Sequence, residues 1–162
     1  MKLLAIVGFS DAGKTGLIQK LIPEFNNRGN SVAVLKHCPH GFELDREGTD
    51  SWHYMQAGSQ GVALLSPQKL AVLQAKGFPP QTAGIAETFF PDFDIVLVEG
   101  GKNEPGIPKI WVLRSGETGV QEAERDDVIA LIAEGHLACP KPVFRAVQVR
   151  ELAGFILSYL MV

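Results

Sequence analysis

LLAIVGFSDAGKT, residues 3–15, is an apolar run that ends in a glycine-rich loop. Residues 3–7 have the length and composition of a buried strand, and residues 8–15 follow with the spacing Gly-x-x-x-x-Gly-Lys-Thr. A run with helical periodicity begins directly afterwards. A loop with this spacing between a strand and a helix is typical of backbone that wraps the phosphates of a nucleotide with its N–H groups. We therefore predict a strand, a phosphate-binding loop and a helix, in that order.

The residue types in this loop suit that chemistry. Glycine lets the backbone turn tightly next to an anion, and the positive end of the following helix points at it. Lys14 can reach the terminal phosphates as a point charge, and the Thr15 hydroxyl can be a ligand of Mg²⁺. A glycine turn without a ligand is the alternative. The residues predicted to bind the nucleotide here are Gly8, Ser10, Asp11, Ala12, Gly13, Lys14, Thr15 and Gly16.

Length and composition favour one soluble domain, which we place at residues 1–162. A net charge of −3 argues against general binding to nucleic acid or to an anionic membrane. No apolar segment is long enough to span a bilayer, and Met1-Lys2 leads directly into the first strand without a secretory signal. The two cysteines are too few for a disulfide scaffold. We expect a cytoplasmic protein with reduced thiols.

Buried-type strands alternate with helical stretches along the chain. This alternation predicts an α/β fold of the P-loop NTPase kind, with a mostly parallel, doubly wound sheet and helices on both faces. Pro23 should kink the first helix or end it at residue 21 or 22. The predicted strands are residues 3–7, 31–37, 61–66, 70–73, 94–98, 109–113, 128–132 and 143–144, and the predicted helices are residues 13–27, 50–57, 82–89 and 149–160.

Glu99 ends the apolar strand 94–98, which should lie near the strand of the phosphate loop. An acid at that position can hold magnesium through water or orient an attacking water. We predict Lys14 and Glu99 as catalytic residues, and Thr15 and Glu99 as the metal site. The alternative for Glu99 is an ordinary carboxylate in solvent at a strand end.

Polar side chains at other strand ends are further candidates. Ligands of open α/β sheets lie at the carboxyl ends of the strands, so Lys36, His37 and His40 are predicted donors to anionic groups. The alternatives for the histidines are a solvated loop or a zinc site. Asp45, on the polar loop that follows, is a candidate for a metal or ribose contact or for a helix cap, as is Asp50.

Glu134 follows the apolar strand 128–132. Its carboxylate could accept the N1 and N2 protons of guanine, a pair of contacts that adenine does not offer. A glutamate that simply faces solvent is an equal alternative. Glu134 therefore carries the prediction of guanine selectivity.

Taken together, these motifs resemble the molybdopterin-guanine dinucleotide biosynthesis protein MobB family over nearly the whole chain. The spacing of the motifs in order makes a chance resemblance improbable. The segments that carry it are the loop 8–15, Leu35-Lys36-His37 with His40, Asp45, Asp50-Ser51, Ala57-Gly58, the stretch 97–100 with Lys102, Glu104, Pro105 and Pro108-Lys109-Ile110, and finally 128–131.

The resemblance implies a dimeric GTP-binding adaptor with weak GTPase activity, which assists the molybdopterin guanylyltransferase that attaches GMP to molybdopterin. GTP and Mg²⁺ are the implied cofactors. The chain departs from the family pattern at three positions: Gly16 stands where a second threonine is usual, Gly101 where an aromatic residue is usual, and Glu134 where an aspartate is usual. The last departure weakens the expectation of guanine selectivity.

Two other functions fit the same loop. A small-molecule kinase or ATP-dependent ligase would need an acceptor pocket and usually an arginine-rich lid. A pure interaction module would use nucleotide only to order its loops. The six arginines do not cluster in the sequence, and none is evident as an arginine finger near the loop. We therefore expect slow hydrolysis by the isolated chain.

Overall fold

The structure, a computed structural model, describes residues 1–75, 77, 79, 81–135 and 137–161, except for the side chain of Val120. These residues form two compact units. The first unit comprises Met1–His37 and Gln81–Val162, and the second comprises Cys38–Pro80. The single domain expected from the sequence stays a prediction.

Strands and helices alternate as the sequence pattern indicates. In chain order they are β1 (Lys2–Val7), α1 (Lys14–Asn26), β2 (Val32–Lys36), α2 (Asp50–Gln56), β3 (Gly61–Leu65), β4 (Leu70–Gln74), α3 (Thr82–Phe89), β5 (Ile95–Glu99), β6 (Lys109–Val112), α4 (Val120–Ala123), β7 (Val128–Ile132), β8 (Val143–Phe144) and α5 (Val149–Leu160). Every predicted element is present, and α4 is an additional short helix.

The first unit is built on a six-stranded sheet with the order β2-β5-β1-β6-β7-β8. Every pair of neighbouring strands in it is parallel. β1 lies between β5 and β6, and Ile6 is in register with Glu99 and with Ile110. The predicted parallel α/β sheet is therefore confirmed, as is the placement of the Glu99 strand beside the strand of the phosphate loop.

Helices cover both faces of this sheet, as predicted. One face packs on α1 and α5, whose apolar residues include Leu21, Phe25 and Ile156. The opposite face packs on α3 through Ala86 and on α4 through Ala123. Because the central strands are covered on both sides, they read as continuous apolar runs rather than as alternating ones.

Two local expectations for the first unit are wrong. α1 is not shortened to residue 21 or 22 but continues through Pro23 to Asn26, while the other alternative for Pro23, a kink, stays a prediction. Pro23 and Gln19 are both exposed, so water can reach the Gln19 carbonyl that has lost its helical donor. β2 is less buried than its apolar sequence predicts, and Val34 is exposed, because β2 is an edge strand of the sheet.

The second unit contains α2 and the hairpin of β3 and β4, which confirms the hairpin that the sequence allowed. Leu65 pairs with Leu70, and Ala63 pairs with Val72, so these four apolar residues share one face of the hairpin. All four are exposed, with Leu65 at 82% and Leu70 at 66%. Among the helices of the described residues, none has the length and apolar character needed to cross a membrane.

Candidate functional site: a phosphate loop at the carboxyl end of the sheet

The loop between β1 and α1 adopts backbone conformations that its sequence permits. Gly8, Asp11 and Gly13 have φ values of 144°, 60° and 91°. A Cβ atom on Gly8 would overlap the carbonyl oxygen of Val112, so the start of the loop lies directly against the end of β6. Only glycine combines this positive φ with such a close approach.

The first turn of α1 leaves backbone donors open. Gly13 is the N-cap residue and provides no side-chain cap, and the helix begins with the hydrogen bond from Leu17 N to the Gly13 carbonyl. The N–H groups of Lys14, Thr15 and Gly16 donate to no other residue that the structure describes. Open donors at the positive end of a helix form an anion-binding site.

Lys14, Thr15, Lys36 and Glu99 lie together around this helix end. Lys14 Nζ donates to the Phe9 carbonyl at 2.6 Å, so its ammonium group lies across the loop. Thr15 Oγ1 donates to Glu99 Oε1 at 2.8 Å, and Lys36 Nζ is 3.4 Å from the same oxygen. The sequence predictions that place Lys36 and Glu99 beside the loop are confirmed in geometry.

The oxygen atoms of Thr15 and Glu99 fit magnesium. Mg²⁺ prefers hard oxygen ligands and is usually held by one or two protein groups together with waters and substrate phosphates. In the described ranges, no group of three or more histidine, cysteine, aspartate or glutamate side chains could hold a metal ion.

The remaining polar candidates of the second strand and its loop divide between the two units. His37 is exposed in the first unit, where it continues the β2–β5 ladder through its N–H to the Glu99 carbonyl and lies beside Gly100. His40 and Asp45 belong to the second unit, and their binding roles stay predictions.

Asp45 orders the start of α2. Its Oδ1 accepts hydrogen bonds from Arg46 N, Thr49 Oγ1 and Ser51 Oγ, each at 3.0 Å. The N-cap of α2 is Thr49, whose hydroxyl accepts from Trp52 N at 3.3 Å. The N-cap roles suggested for Asp45 and Asp50 are therefore wrong, because the helix already begins at Asp50 and Thr49 caps it.

A cleft of about 350 Å³ extends from the phosphate loop along the carboxyl ends of β6 and β7. Asp11 and Ala12 line it at the loop, Arg114 and Ser115 after β6, and Glu134 after β7. Glu134 also borders a second cavity of about 340 Å³, with Arg145 and Gln148. The structure thus brings Glu134 into one cleft with the phosphate loop, which the sequence could suggest only through the order of the strands.

The sequence analysis missed the surroundings of Phe9. The Phe9 ring is exposed, with Lys102 Nζ 5.3 Å and Arg114 Cζ 5.0 Å from its centroid. Both distances are within cation–π range. No local sequence pattern predicts this cluster, because its three residues lie in three separate loops.

The sequence analysis also missed an ion pair with a buried lysine, which contacts the segment 100–108. Lys109 is fully buried, and its Nζ donates to Asp127 Oδ2 at 2.8 Å and to the carbonyls of Glu104 and Ile107 at 2.6 and 3.0 Å. Arg125 also contacts Asp127 and donates to the Lys102 carbonyl at 3.0 Å. The hydrogen bond from Arg125, reinforced by Lys109, lowers the pKa of Asp127 to about 2. This network ties down the segment that follows Glu99.

Comparison with known proteins agrees with this architecture. Residues 3–134 match the family model of molybdopterin guanine dinucleotide synthesis protein B, MobB. The chain is 36% identical to the molybdopterin-guanine dinucleotide biosynthesis adapter protein of Haemophilus influenzae over 159 residues, covering 98% of this chain and 89% of that protein. It is 30% identical to the adapter protein of the same description from Escherichia coli, covering 98% and 93%.

A solved structure gives the same result. The crystal structure of a molybdopterin-guanine biosynthesis protein B superposes with a TM-score of 0.78 at 30% sequence identity, covering 98% of this chain and 99% of that one. The family model spans most of the chain and the relatives span nearly all of it. The chain therefore belongs to the MobB family.

Proposed function

We propose that this chain binds GTP with Mg²⁺ at residues 8–15, hydrolyses it slowly, and acts as an adapter protein in the synthesis of molybdopterin guanine dinucleotide. The observation that carries the nucleotide part is the hydrogen bond of 2.8 Å between Thr15 Oγ1 and Glu99 Oε1 beside the open end of α1. It joins the two oxygen donors of the predicted metal site.

Each part of the site has a separate task in this proposal. The open N–H groups of the loop and of the first turn of α1 receive the phosphate oxygens, and Lys14 exchanges the Phe9 carbonyl for the terminal phosphates. Bound magnesium would neutralise charge on the phosphates. Glu99 accepts the hydrogen bond of the Thr15 hydroxyl and would orient water on the metal side.

Slow hydrolysis follows from what surrounds the transferring group. Lys14 and Lys36 supply positive charge on the metal side, but in the described residues no arginine lies within salt-bridge distance of Glu99. An arginine finger supplied by a partner typically raises the rate by roughly 10³ to 10⁵. A turnover far below about 1 s⁻¹ is expected from the isolated chain.

Guanine selectivity is assigned to Glu134. Its carboxylate lines the cleft that begins at Asp11 and Ala12, so a nucleoside whose phosphates occupy the loop can place its base near Glu134. Acceptance of the N1 and N2 protons favours guanine over adenine. A carboxylate left without a hydrogen-bond donor against the wrong base is the physical source of discrimination.

The adapter part of the proposal rests on the relatives. The proteins of Haemophilus influenzae and Escherichia coli are both described as adapters of molybdopterin-guanine dinucleotide biosynthesis. We assign the same role to this chain, with the guanylyltransferase of that pathway as the partner enzyme. Binding of the purified chain to that transferase, measured with and without GTP, tests the assignment, and absence of binding in both conditions would refute it.

The hairpin of the second unit supports a homodimer. An isolated two-stranded hairpin is only marginally stable in water, and the face with Ala63, Leu65, Leu70 and Val72 is entirely exposed. Covering this face with a second copy would remove its apolar surface from water. Sedimentation should show a dimer that a Leu65→Ser/Leu70→Ser variant weakens. A monomeric unaltered chain would refute the proposal.

The decisive experiment for nucleotide binding compares two lysines. Lys14→Ala should reduce GTP affinity by about 100-fold or more without lowering the melting temperature, because Lys14 touches the loop and not the core. Lys20→Ala is the matched control, since Lys20 is an exposed residue of the same helix. Unchanged affinity in Lys14→Ala would refute the phosphate-loop assignment.

Base choice is measured in the same assay by competition of GTP against ATP. Preference for GTP is expected, and a Glu134→Gln variant should reduce that preference. Equal affinities for the two nucleotides would contradict the role of Glu134 and favour the kinase or ligase alternative.

A further inference from the structure

The phosphate loop contains an aromatic ring that two cationic side chains contact. Each cation follows one of the two strands that flank β1. Phe9 is the second residue of the loop, and its ring lies 5.3 Å from Lys102 Nζ and 5.0 Å from Arg114 Cζ. Lys102 follows β5, and Arg114 follows β6, the two strands that flank β1. Two cations from opposite sides of β1 therefore converge on one side chain of the loop.

Arg114 is held there by weak contacts. Glu117 uses Oε2 to accept from the Arg114 backbone N–H at 2.9 Å, while its Oε1 lies 3.8 Å from Arg114 Nε. The guanidinium group donates no hydrogen bond to the parts of the chain that the structure describes. Exposed cation–π contacts and long ion pairs are individually weak. Arg114 can therefore exchange the ring for a phosphate without dismantling a buried network.

The position of Arg114 distinguishes the two ends of a nucleotide. Arg114 lines the cleft that runs from Asp11 and Ala12 to Glu134, whereas Lys102 is not one of its lining residues. Thr15, at the start of α1, and Glu99, at the end of the strand on the other flank of β1, mark the proposed metal side. With the base placed at Glu134, a guanidinium group in the cleft would face the phosphate nearest the nucleoside, and its planar fork suits bidentate contact with phosphate oxygens.

We propose that Arg114 is a phosphate-binding residue for the α-phosphate, which GDP and GTP share, and that the Phe9 ring holds it at the cleft before the nucleotide binds. This proposal rests on the proposed function. Because the α-phosphate takes no part in the bond that breaks during hydrolysis, Arg114 contributes to affinity rather than to the chemical step.

The test measures affinities for GDP and GTP and the single-turnover rate of GTP hydrolysis in an Arg114→Gln variant. GDP and GTP should each bind about 10- to 100-fold more weakly, the usual effect of losing hydrogen bonds to a charged group. The rate from the bound state should stay within about threefold. Arg150→Gln removes an equal charge from an exposed position of α5 and should change neither quantity.

Lys102→Gln provides the sharper control, because it removes the other cation of the same ring. GDP affinity in that variant should stay within about threefold of the unaltered chain. A loss of GDP affinity equal to that of Arg114→Gln would show a general charge effect and overturn the assignment. An Arg114→Gln variant with unchanged GDP affinity would overturn it directly.

The role of Phe9 is tested by a double-mutant cycle. Phe9→Leu should weaken GDP binding by less than Arg114→Gln does, and the double variant should be no worse than Arg114→Gln alone. Additive losses would mean that Phe9 acts independently of Arg114 and would refute the holding role. If the unaltered chain binds no guanine nucleotide at all, the proposed function itself fails, an outcome distinct from each of these.

Discussion

Two lysine–carboxylate pairs lie at the two flanks of β1, and they are built in opposite ways. At the loop, Lys36 Nζ is 3.4 Å from Glu99 Oε1, with the two side chains 61% and 12% exposed. Under the loop segment 100–108, Lys109 Nζ is 2.8 Å from Asp127 Oδ2, and Lys109 has no exposed surface. The two lysines therefore differ most: Lys36 is open to water, whereas Lys109 is closed off from it.

The number of partners explains the difference. Lys109 and Asp127 have most of their hydrogen-bonding capacity satisfied by Glu104, Ile107 and Arg125. Glu99 shares one oxygen between Thr15 and Lys36, which leaves capacity for a metal and water. A saturated buried pair fixes backbone, whereas an unsaturated exposed pair is available for chemistry. Four experiments test this difference between the two pairs.

The largest effect is expected when Asp127 is removed. Asp127→Ala leaves the ammonium group of Lys109 buried without a counter-charge, and the free energy of unfolding should fall by about 3 kcal/mol. Asp126→Ala is the matched control, because Asp126 is exposed, and it should change stability by less than about 0.5 kcal/mol. Denaturant unfolding measures both. Similar values for the two variants would show that the buried pair does not hold the fold.

Glu99→Gln should lower the rate of GTP hydrolysis and leave stability nearly unchanged. Glutamine keeps an acceptor for the Thr15 hydroxyl, so stability should change by less than about 1 kcal/mol. Hydrolysis of GTP should fall by about 10- to 100-fold, because Glu99 is the carboxylate proposed to orient water on the metal side. Glu104→Gln, on the segment that follows, serves as the control. An unchanged single-turnover rate in Glu99→Gln would exclude Glu99 from catalysis.

Lowering the pH tests whether the charge of Asp127 stabilises the second pair. Hydrogen bonds from Arg125 hold the pKa of Asp127 at about 2, below its usual 3.8. A lowered pKa contributes stability that is complete above about pH 3.8 and is lost as the pH falls through about 2. The contribution should be about 1 to 2 kcal/mol, since 29% of the Asp127 side chain is exposed to screening.

The stability gap between the unaltered chain and Asp127→Ala should therefore shrink between pH 5 and pH 2.5, as measured by urea unfolding. The Ser31 hydrogen bonds also lower the pKa of Asp94, but that carboxylate is present in both proteins and cancels in the difference. A gap that stays constant with pH would mean that the charge of Asp127 is not what stabilises the network.

The smallest effect belongs to Lys36. Lys36→Gln should change the free energy of unfolding by less than about 0.5 kcal/mol, as is usual for a solvent-exposed ion pair. Nucleotide affinity should fall several-fold, because a positive charge beside Glu99 has been lost. Thermal melting and GTP binding on the same sample separate the two effects. A large loss of stability would erase the distinction between the two pairs.

The sequence predicts the surroundings of Glu99 and not those of Lys109, for a physical reason. Glu99 stands where an apolar strand ends, and a parallel sheet brings such ends to one edge, so its approach to Thr15 could be expected. The burial of Lys109 depends on carbonyl groups of the segment 100–108 and on Asp127, which come from two different loops. Lysine at the start of an apolar strand normally indicates solvent.

The other features that the sequence did not predict also depend on contacts between distant parts of the chain. Arg114 and Lys102 reach Phe9 only because β5 and β6 flank β1, which is an arrangement of the whole sheet and not of any local pattern. Pro23 lies inside α1 because its helical position faces water. Periodicity predicted the helices and strands. Contacts between distant parts of the chain decided which charged residues stabilise the fold and which lie at the candidate site.

The register of the sheet also determines the order in which the chain can fold. In the sheet as described, β1 and β2 pair not with each other but with β5, so Lys2 first meets its partner at Ile95. At a synthesis rate of about 5 to 20 residues per second, the strand of the phosphate loop waits several seconds for that partner. Closing so long a loop before any contact of the six-stranded sheet forms makes folding slow. The apolar strand LLAIV is therefore exposed to misassociation during synthesis.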